Sequence, residues 1–164
     1  MTTPSTSFKT ILLVDDEEII LDALRKFLEK KSFKVKIAPN GKLARDLLGI
    51  EKFDVILSDI HMPGSQIGGI ELLNYVKQFH PKIPMVLMTG FATLSETKSA
   101  HESGADAFIA KPFNREDLLQ TLDKLCKKET SNDQTLEEVD EDQNYSRLGI
   151  DDFISGKQIR YNVF

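Results

Sequence analysis

Short apolar runs alternate along this chain with stretches in which apolar residues recur at helical spacing. Residues 10–14 (Thr-Ile-Leu-Leu-Val), 53–59 (Phe-Asp-Val-Ile-Leu-Ser-Asp), 85–88 (Met-Val-Leu-Met) and 105–110 (Ala-Asp-Ala-Phe-Ile-Ala) are the runs. Runs of this length read as buried strands of a parallel sheet. Residues 33–38 differ, because Phe33, Val35 and Ile37 alternate with Lys34 and Lys36. That period predicts a strand with one solvated face, at a sheet edge. Between the runs, Ile19, Ile20, Ala23, Leu24, Phe27 and Leu28 repeat with a helical period, as do Leu43, Ala44, Leu47 and Leu48. Ile70, Leu72, Leu73, Val76 and Phe79 make a third such set, and Leu118, Leu119, Leu122 and Leu125 a last one. Each predicts a helix with one buried face. Residues 92–103 have helix length but only Ala92, Leu94 and Ala100 as apolar residues, which predicts a weakly held helix.

Turn chemistry agrees with these boundaries. Pro39-Asn40-Gly41 reads as a turn and residues 62–69 as a loop rich in turn residues. Gly49 and Gly104 read as helix stops, and Asn114 as an N-cap. Strand and helix thus alternate five times. That predicts an α/β fold: a five-stranded parallel sheet, doubly wound, with right-handed crossovers. All five strands would then end on one edge of the sheet, where open α/β folds bind ligands. The ends fall at Asp15-Asp16, Ala38, Asp59, Thr89 and Lys111. Four of the five carry a group with chemistry.

Composition narrows the picture. The chain has 164 residues, 40% hydrophobic and 29% charged, enough for one core-forming domain and an extension. A net charge of -5 argues against a whole-chain nucleic-acid footprint. One cysteine, Cys126, cannot staple a fold, which fits a reducing compartment. No apolar run approaches the roughly 18 residues of a membrane span, and the expected location is the cytoplasm.

Three carboxylates in one cleft repel one another unless a cation compensates them. A hard divalent ion with oxygen ligands, Mg2+ above all, suits Asp15, Asp16 and Asp59. Glu17 and Glu18 suit the start of the following helix instead. Lys111 adds a positive charge that can pair with a carboxylate or a phosphoryl oxygen, and Thr89 adds a hydroxyl. An aspartate set among a metal, a lysine and a hydroxyl is equipped to attack a phosphoryl group.

Asp15-Asp16, Asp59 followed by Met62-Pro63, Thr89, Phe108 and Lys111-Pro112-Phe113 stand in an order that resembles the receiver domain of bacterial two-component response regulators, over about residues 9–128. The resemblance implies a flavodoxin-like fold of strand order 2-1-3-4-5. It implies Asp59 as phosphoacceptor, Thr89 and Lys111 on the phosphoryl oxygens, and Mg2+ on Asp15, Asp16, Asp59 and the main-chain carbonyl of His61. Phe108 matches an aromatic switch that turns inward when Thr89 moves. Two departures stand out. The loop from Pro63 to Gly69 is longer than the family norm by one or two residues, and Phe108 lacks the hydroxyl of the commoner tyrosine. His61 and Phe91, two positions past site residues, flank the cleft.

The function this implies is a phosphorylation-dependent switch. It would take its phosphoryl group from a histidine kinase or phosphotransfer protein, catalyse its own phosphorylation and dephosphorylation, and act on no separate product. The rival is a phosphorylation-independent interaction or dimerisation module. A metal-dependent phosphohydrolase would need a general acid near Asp59, and position 61 is histidine. A homodimer is expected through the helix of residues 92–103 and the last helix, or through the tail. No membrane partner is expected, and nucleic acid only through a missing output domain. Residues 1–8 read as a flexible start and 9–128 as the receiver. Residues 129–144 read as an acidic linker, since Glu129, Asp133, Glu137, Glu138, Asp140, Glu141 and Asp142 meet no base. Residues 145–164 return to aromatic and β-branched character, as strand pieces or the start of a truncated output domain.

Overall fold

The computed structural model describes residues 8–90, 98 and 101–127. Their elements run β1 (Thr10–Val14), α1 (Glu18–Glu29), β2 (Lys34–Ala38), α2 (Gly41–Leu48), β3 (Val55–Asp59), α3 (Gly69–Phe79), β4 (Met85–Thr89), β5 (Ala107–Ala110) and α4 (Arg115–Lys127). The five strands form one parallel sheet in the order β2-β1-β3-β4-β5. The helix expected over residues 92–103 falls largely outside the described residues; Lys98, His101 and Glu102 within it are helical. The expected flexible start, except Phe8, the acidic linker and the strand-like tail also lie outside them.

The alternation of side chains along each strand divides the core in two. Ile11, Leu13, Val55, Leu57, Val86 and Met88 face Leu21, Leu24 and Leu28 of α1 and Leu118, Leu122 and Leu125 of α4. Leu12, Val14, Ile56 and Leu87 face Ala44 and Leu48 of α2 and Leu72, Leu73 and Val76 of α3. β1, β3 and β4 are covered on both sides, which explains their unbroken apolar runs. Each fully buried Leu or Ile contributes about 1.5–3 kcal/mol. β2 is the edge strand, as its lysines indicate.

Local signals set the boundaries, with some differences from expectation. Asn40 belongs to no free-standing turn: it caps α2, accepting from the Leu43 N–H at 2.9 Å, because its extended backbone leaves the carboxamide over the helix's first N–H groups. Asn114 accepts from the Glu116 N–H at 2.9 Å, as an N-cap should. Gly49 does end α2, but in right-handed conformation, so no left-handed requirement selects glycine there. Ile37 remains 36% exposed although it lies on the apolar side of its strand; an edge position leaves that side only partly covered. Gly69, the first residue of α3, is held by close approach. A Cβ there would stand 2.2 Å from the Asp59 carbonyl oxygen.

Candidate functional site

Register brings the sequence-predicted residues together. Val14 pairs with Ser58, Asp59 with Met88, and Thr89 with Ala110. Asp15, Asp59, Thr89 and Lys111 therefore stand side by side at the carboxyl edge of four adjacent strands. The site lies where β1 and β3 are neighbours and their helices leave on opposite faces, the switch point of a doubly wound sheet.

Each residue is fixed by main chain as well as by side chain. The Asp15 N–H donates to the Ala38 carbonyl at 3.2 Å, and the Asp15 carboxylate accepts from the Glu17 N–H at 2.9 Å. Beyond β3, the Ile60 N–H donates to the Met88 carbonyl at 2.8 Å, and the Gly69 N–H to the Ile60 carbonyl at 3.0 Å. The Lys111 N–H donates to the Thr89 carbonyl at 2.6 Å, and the Lys111–Pro112 peptide is cis.

The centre of the site is an ion triad. The Lys111 ammonium donates to the Asp15 carboxylate at 2.7 Å and lies 2.9 Å from that of Asp59. The side chains of Asp15, Asp59 and Lys111 are 1%, 8% and 18% exposed, so solvent screens these contacts little. Burial pushes the Asp59 carboxyl above its ordinary 3.8. Lys111 opposes that rise, Asp15 adds to it, and the main-chain N–H of His61 opposes it. Burial also works to lower the Lys111 pKa, but hydrogen bonds and charge from Asp15 and Asp59 outweigh it, and the value is raised above 10.5. The two shifts differ in kind. Lys111 serves two carboxylates, whereas Asp59 shares one ammonium and faces a like charge.

The other expected residues are placed less centrally. Thr89 is buried, and its hydroxyl lies 3.4 Å from His61 Nδ1. His61 itself is exposed, so its imidazole meets the site's rim while its main chain meets Asp59. Asp16 is exposed on the loop after β1. Phe108 is 4% exposed and packs inward in the core on the α2 and α3 side. Phe91 lies outside the described residues. The close approach of Gly69 to Asp59 was missed in the sequence; its signal was the glycine pair Gly68-Gly69 at a helix start. Among the described residues, no three His, Cys, Asp or Glu side chains stand together at metal-holding spacing. Lys111 lies between Asp15 and Asp59 instead.

Two buried carboxylates against one ammonium leave an excess negative charge at a strand edge. With oxygen donors on one side and a hydroxyl on the other, such a cleft can bind a hard cation and orient a phosphoryl group.

Known proteins carry the same framework. A family model described as the response regulator receiver domain matches residues 11–123. The nitrogen assimilation regulatory protein NtrX of Azorhizobium caulinodans is 33% identical over 109 residues, covering 66% of this chain and 24% of that protein. The chain spans about a quarter of the length of the first curated relatives it matches, 24% in each case. The crystal structure of a CheY-like response regulator receiver domain protein from Methanospirillum hungatei has a TM-score of 0.71. Its identity is 35%, over 76% of this chain and 98% of that one. The response regulator TrrA of Thermotoga maritima, solved in complex with Mg2+ and BeF, has a TM-score of 0.65 and 28% identity. That likeness covers 72% of this chain and 99% of that one. The chain belongs to the response regulator receiver domain family of two-component systems.

Proposed function

We propose that this chain is a phosphorylation-dependent switch whose phosphoacceptor is Asp59. The observation that carries the reading is the buried triad, in which Lys111 bridges Asp15 and Asp59 at the carboxyl edge of the sheet. The partner is a histidine kinase or phosphotransfer protein carrying a phosphorylated imidazole. An Asp59 carboxylate oxygen attacks the phosphorus in line. The new O–P bond forms as the P–N bond breaks, and its electron pair returns to the donor imidazole. Lys111 moves part of its charge from Asp59 to the transferring oxygens, and Thr89 donates its hydroxyl to another. Burial favours this chemistry because fixed charges act more strongly where water is excluded.

The family implies Mg2+ at this site, and the donor set fits it, with hard carboxylate oxygens in excess of the neighbouring positive charge. Asp15, Asp16, Asp59 and the His61 carbonyl would hold the ion, which when bound supplies further neutralisation at the phosphoryl oxygens. The Mg2+ and BeF in the Thermotoga relative support this assignment by likeness.

On this reading the chain promotes its own phosphoryl gain and loss, in the cytoplasm, without a separate product. Phe108 and Thr89 carry the change outward by packing alone. Residues 129–144 link the receiver to residues 145–164. Dimerisation through the surface of α4 and residues 92–103, or through the tail, is one output that needs no further domain. A radiolabelled phosphohistidine donor tests the assignment. Label should pass to the wild type and not to Asp59→Asn, and should be released by mild base as an acyl phosphate. Label on the Asp59→Asn chain would overturn the assignment.

A further inference from the structure

β2 leaves part of its main chain unused. The Lys34 N–H donates to the Lys9 carbonyl at 2.9 Å, and the Ala38 carbonyl accepts from the Asp15 N–H at 3.2 Å. Along a strand of a parallel ladder, residues whose main chain turns to one neighbour alternate with residues that turn away from it. Lys34, Lys36 and Ala38 therefore face β1, while Val35 and Ile37 present two N–H and two C=O groups outward. Among the described residues, none donates to or accepts from these four groups. The side chains along the edge are of two kinds. Ala38 packs with α2 and α3, so Lys34 and Lys36 lie on that side of the sheet. Val35 packs on the α1 side, and Ile37 on the same side is 36% exposed. Both lysines are exposed. Lys36 pairs with Glu51 at 3.1 Å. The Lys34 ammonium lies 6.0 Å from the Phe8 ring centroid, and among the described residues no acid pairs with it.

The flank around this edge carries an excess of one sign. Residues 18–52, from the start of α1 through β2 and past the end of α2, hold nine basic and five acidic side chains. Residues 1–127 as a whole hold equal numbers of each, so the matching acids lie elsewhere in the fold. Asp22 stands between Arg25 and Lys26, and Glu51 is held by Lys36. The remaining acids are Glu18, Glu29 and Asp46, against Lys30, Lys31, Lys34, Lys42, Arg45 and Lys52. Lysines on an edge strand keep like edges apart. A second copy laid against β2 would set Lys34 and Lys36 beside their own counterparts, and like charges across a strand pair repel. The same lysines favour an extended strand of opposite charge.

We propose that the open edge of β2 docks an extended acidic segment of a partner protein, added to the sheet as a sixth strand. Its carboxylates stand at alternate positions beside Lys34 and Lys36, and its apolar residues stand beside Val35 and Ile37. The main-chain groups of Val35 and Ile37 supply hydrogen bonds that any strand could use, and the lysines select its charge. β1 separates this edge from β3, so the docked strand leaves Asp59 open. The proposal does not depend on the phosphoacceptor assignment.

The test titrates the full chain with an eight-residue peptide of alternating glutamate and valine and follows amide hydrogen exchange by nuclear magnetic resonance. At saturation, exchange of the Val35 and Ile37 amides should slow about tenfold or more, while the Lys34 and Lys36 amides, already turned to β1, change little. A peptide of alternating lysine and valine should leave all four unchanged. Lys34→Gln/Lys36→Gln, two exposed substitutions that keep the strand, should weaken binding of the glutamate–valine peptide about fivefold. Equal binding by an eight-residue polyglutamate would reduce the edge to a patch of charge and overturn the proposal. Tighter binding of a DNA oligonucleotide with protection of the same amides would overturn it in favour of nucleic acid. Val35 and Ile37 amides already slowed in the free chain would place a second copy on the edge if the slowing rises with protein concentration, and the chain itself if it does not. Either result would overturn the proposal, as would a peptide that protects neither amide.

Discussion

Replacing Lys111 by methionine removes an ammonium and keeps a side chain of similar length. It leaves two carboxylates, 1% and 8% exposed, facing each other without the cation that now lies 2.7 and 2.9 Å from them. At an effective dielectric near 20, each contact carries about 6 kcal/mol of attraction. Much of that offsets the desolvation of the three groups, and breaking a buried pair by removing one partner costs about 3–5 kcal/mol in practice. Lys111 keeps 18% of its side-chain surface in water, so the lower end, about 3 kcal/mol, is expected at pH 7. The sign with pH follows from the shifts. The pKa of Lys111 is raised in the fold, so its contribution is present below 10.5 and is lost as pH rises through the higher folded value. In the variant the two carboxylates carry the cost. The deficit should therefore be large at pH 7 and smaller at pH 4.5, the direction in which Asp59, its carboxyl pushed up by burial, takes up a proton. Urea unfolding at both pH values measures it, and Lys111→Met/Asp59→Asn should recover more than half of the loss at pH 7. A single variant within 0.5 kcal/mol of wild type at pH 7, or a deficit unchanged by the second substitution, would refute the reasoning.

Three further outcomes follow from the same structure. Asp59→Asn alone should raise the unfolding midpoint at pH 7: with a pKa raised by burial, Asp59 contributes most stability below 3.8 and loses it as pH rises through the folded value, and a neutral amide avoids that loss. The gain should vanish near pH 3. Gly69→Ala should cost about 2–3 kcal/mol in urea unfolding, because its Cβ meets the Asp59 carbonyl oxygen at 2.2 Å and Ile60 Cα at 2.7 Å, both main chain. Ser32→Gly should stabilise by about 1 kcal/mol, since Ser32 holds φ at 66° after α1, where glycine has no Cβ penalty.

The five parallel strands and the shared edge of the triad were legible for a definite reason. Buried parallel strands leave unbroken apolar runs, and a parallel sheet carries all their carboxyl ends to one edge, so Asp15, Asp59, Thr89 and Lys111 share it; the strand order that makes them neighbours came from the family resemblance. The lysines of β2 marked the edge strand because only an edge can hold them solvated. What was not legible depends on partners far away in the chain. Asp106 looks like an ordinary strand residue, yet its carboxylate accepts from the Met85 N–H at 2.8 Å and pairs with Lys77. Asp54 likewise accepts from the Thr10 N–H at 2.6 Å. Both tie strand starts together, which no local pattern reveals. Asn40 was read as part of a turn because Pro-Asn-Gly favours turns and caps alike. The direction in which Phe108 packs is also invisible in a period of two, since both faces of β5 are apolar.

The central claim is that Asp59 gains a phosphoryl group by virtue of its neighbours. Intact mass after incubation with acetyl phosphate and Mg2+ tests it most directly, on the wild type, Asp59→Asn and Lys111→Met, with folding checked by circular dichroism. The account predicts one added phosphoryl group on the wild type, none without Mg2+, none on Asp59→Asn and a sharply reduced gain on Lys111→Met. A folded wild type that gains nothing, or an Asp59→Asn chain that gains as much as the wild type, would contradict it.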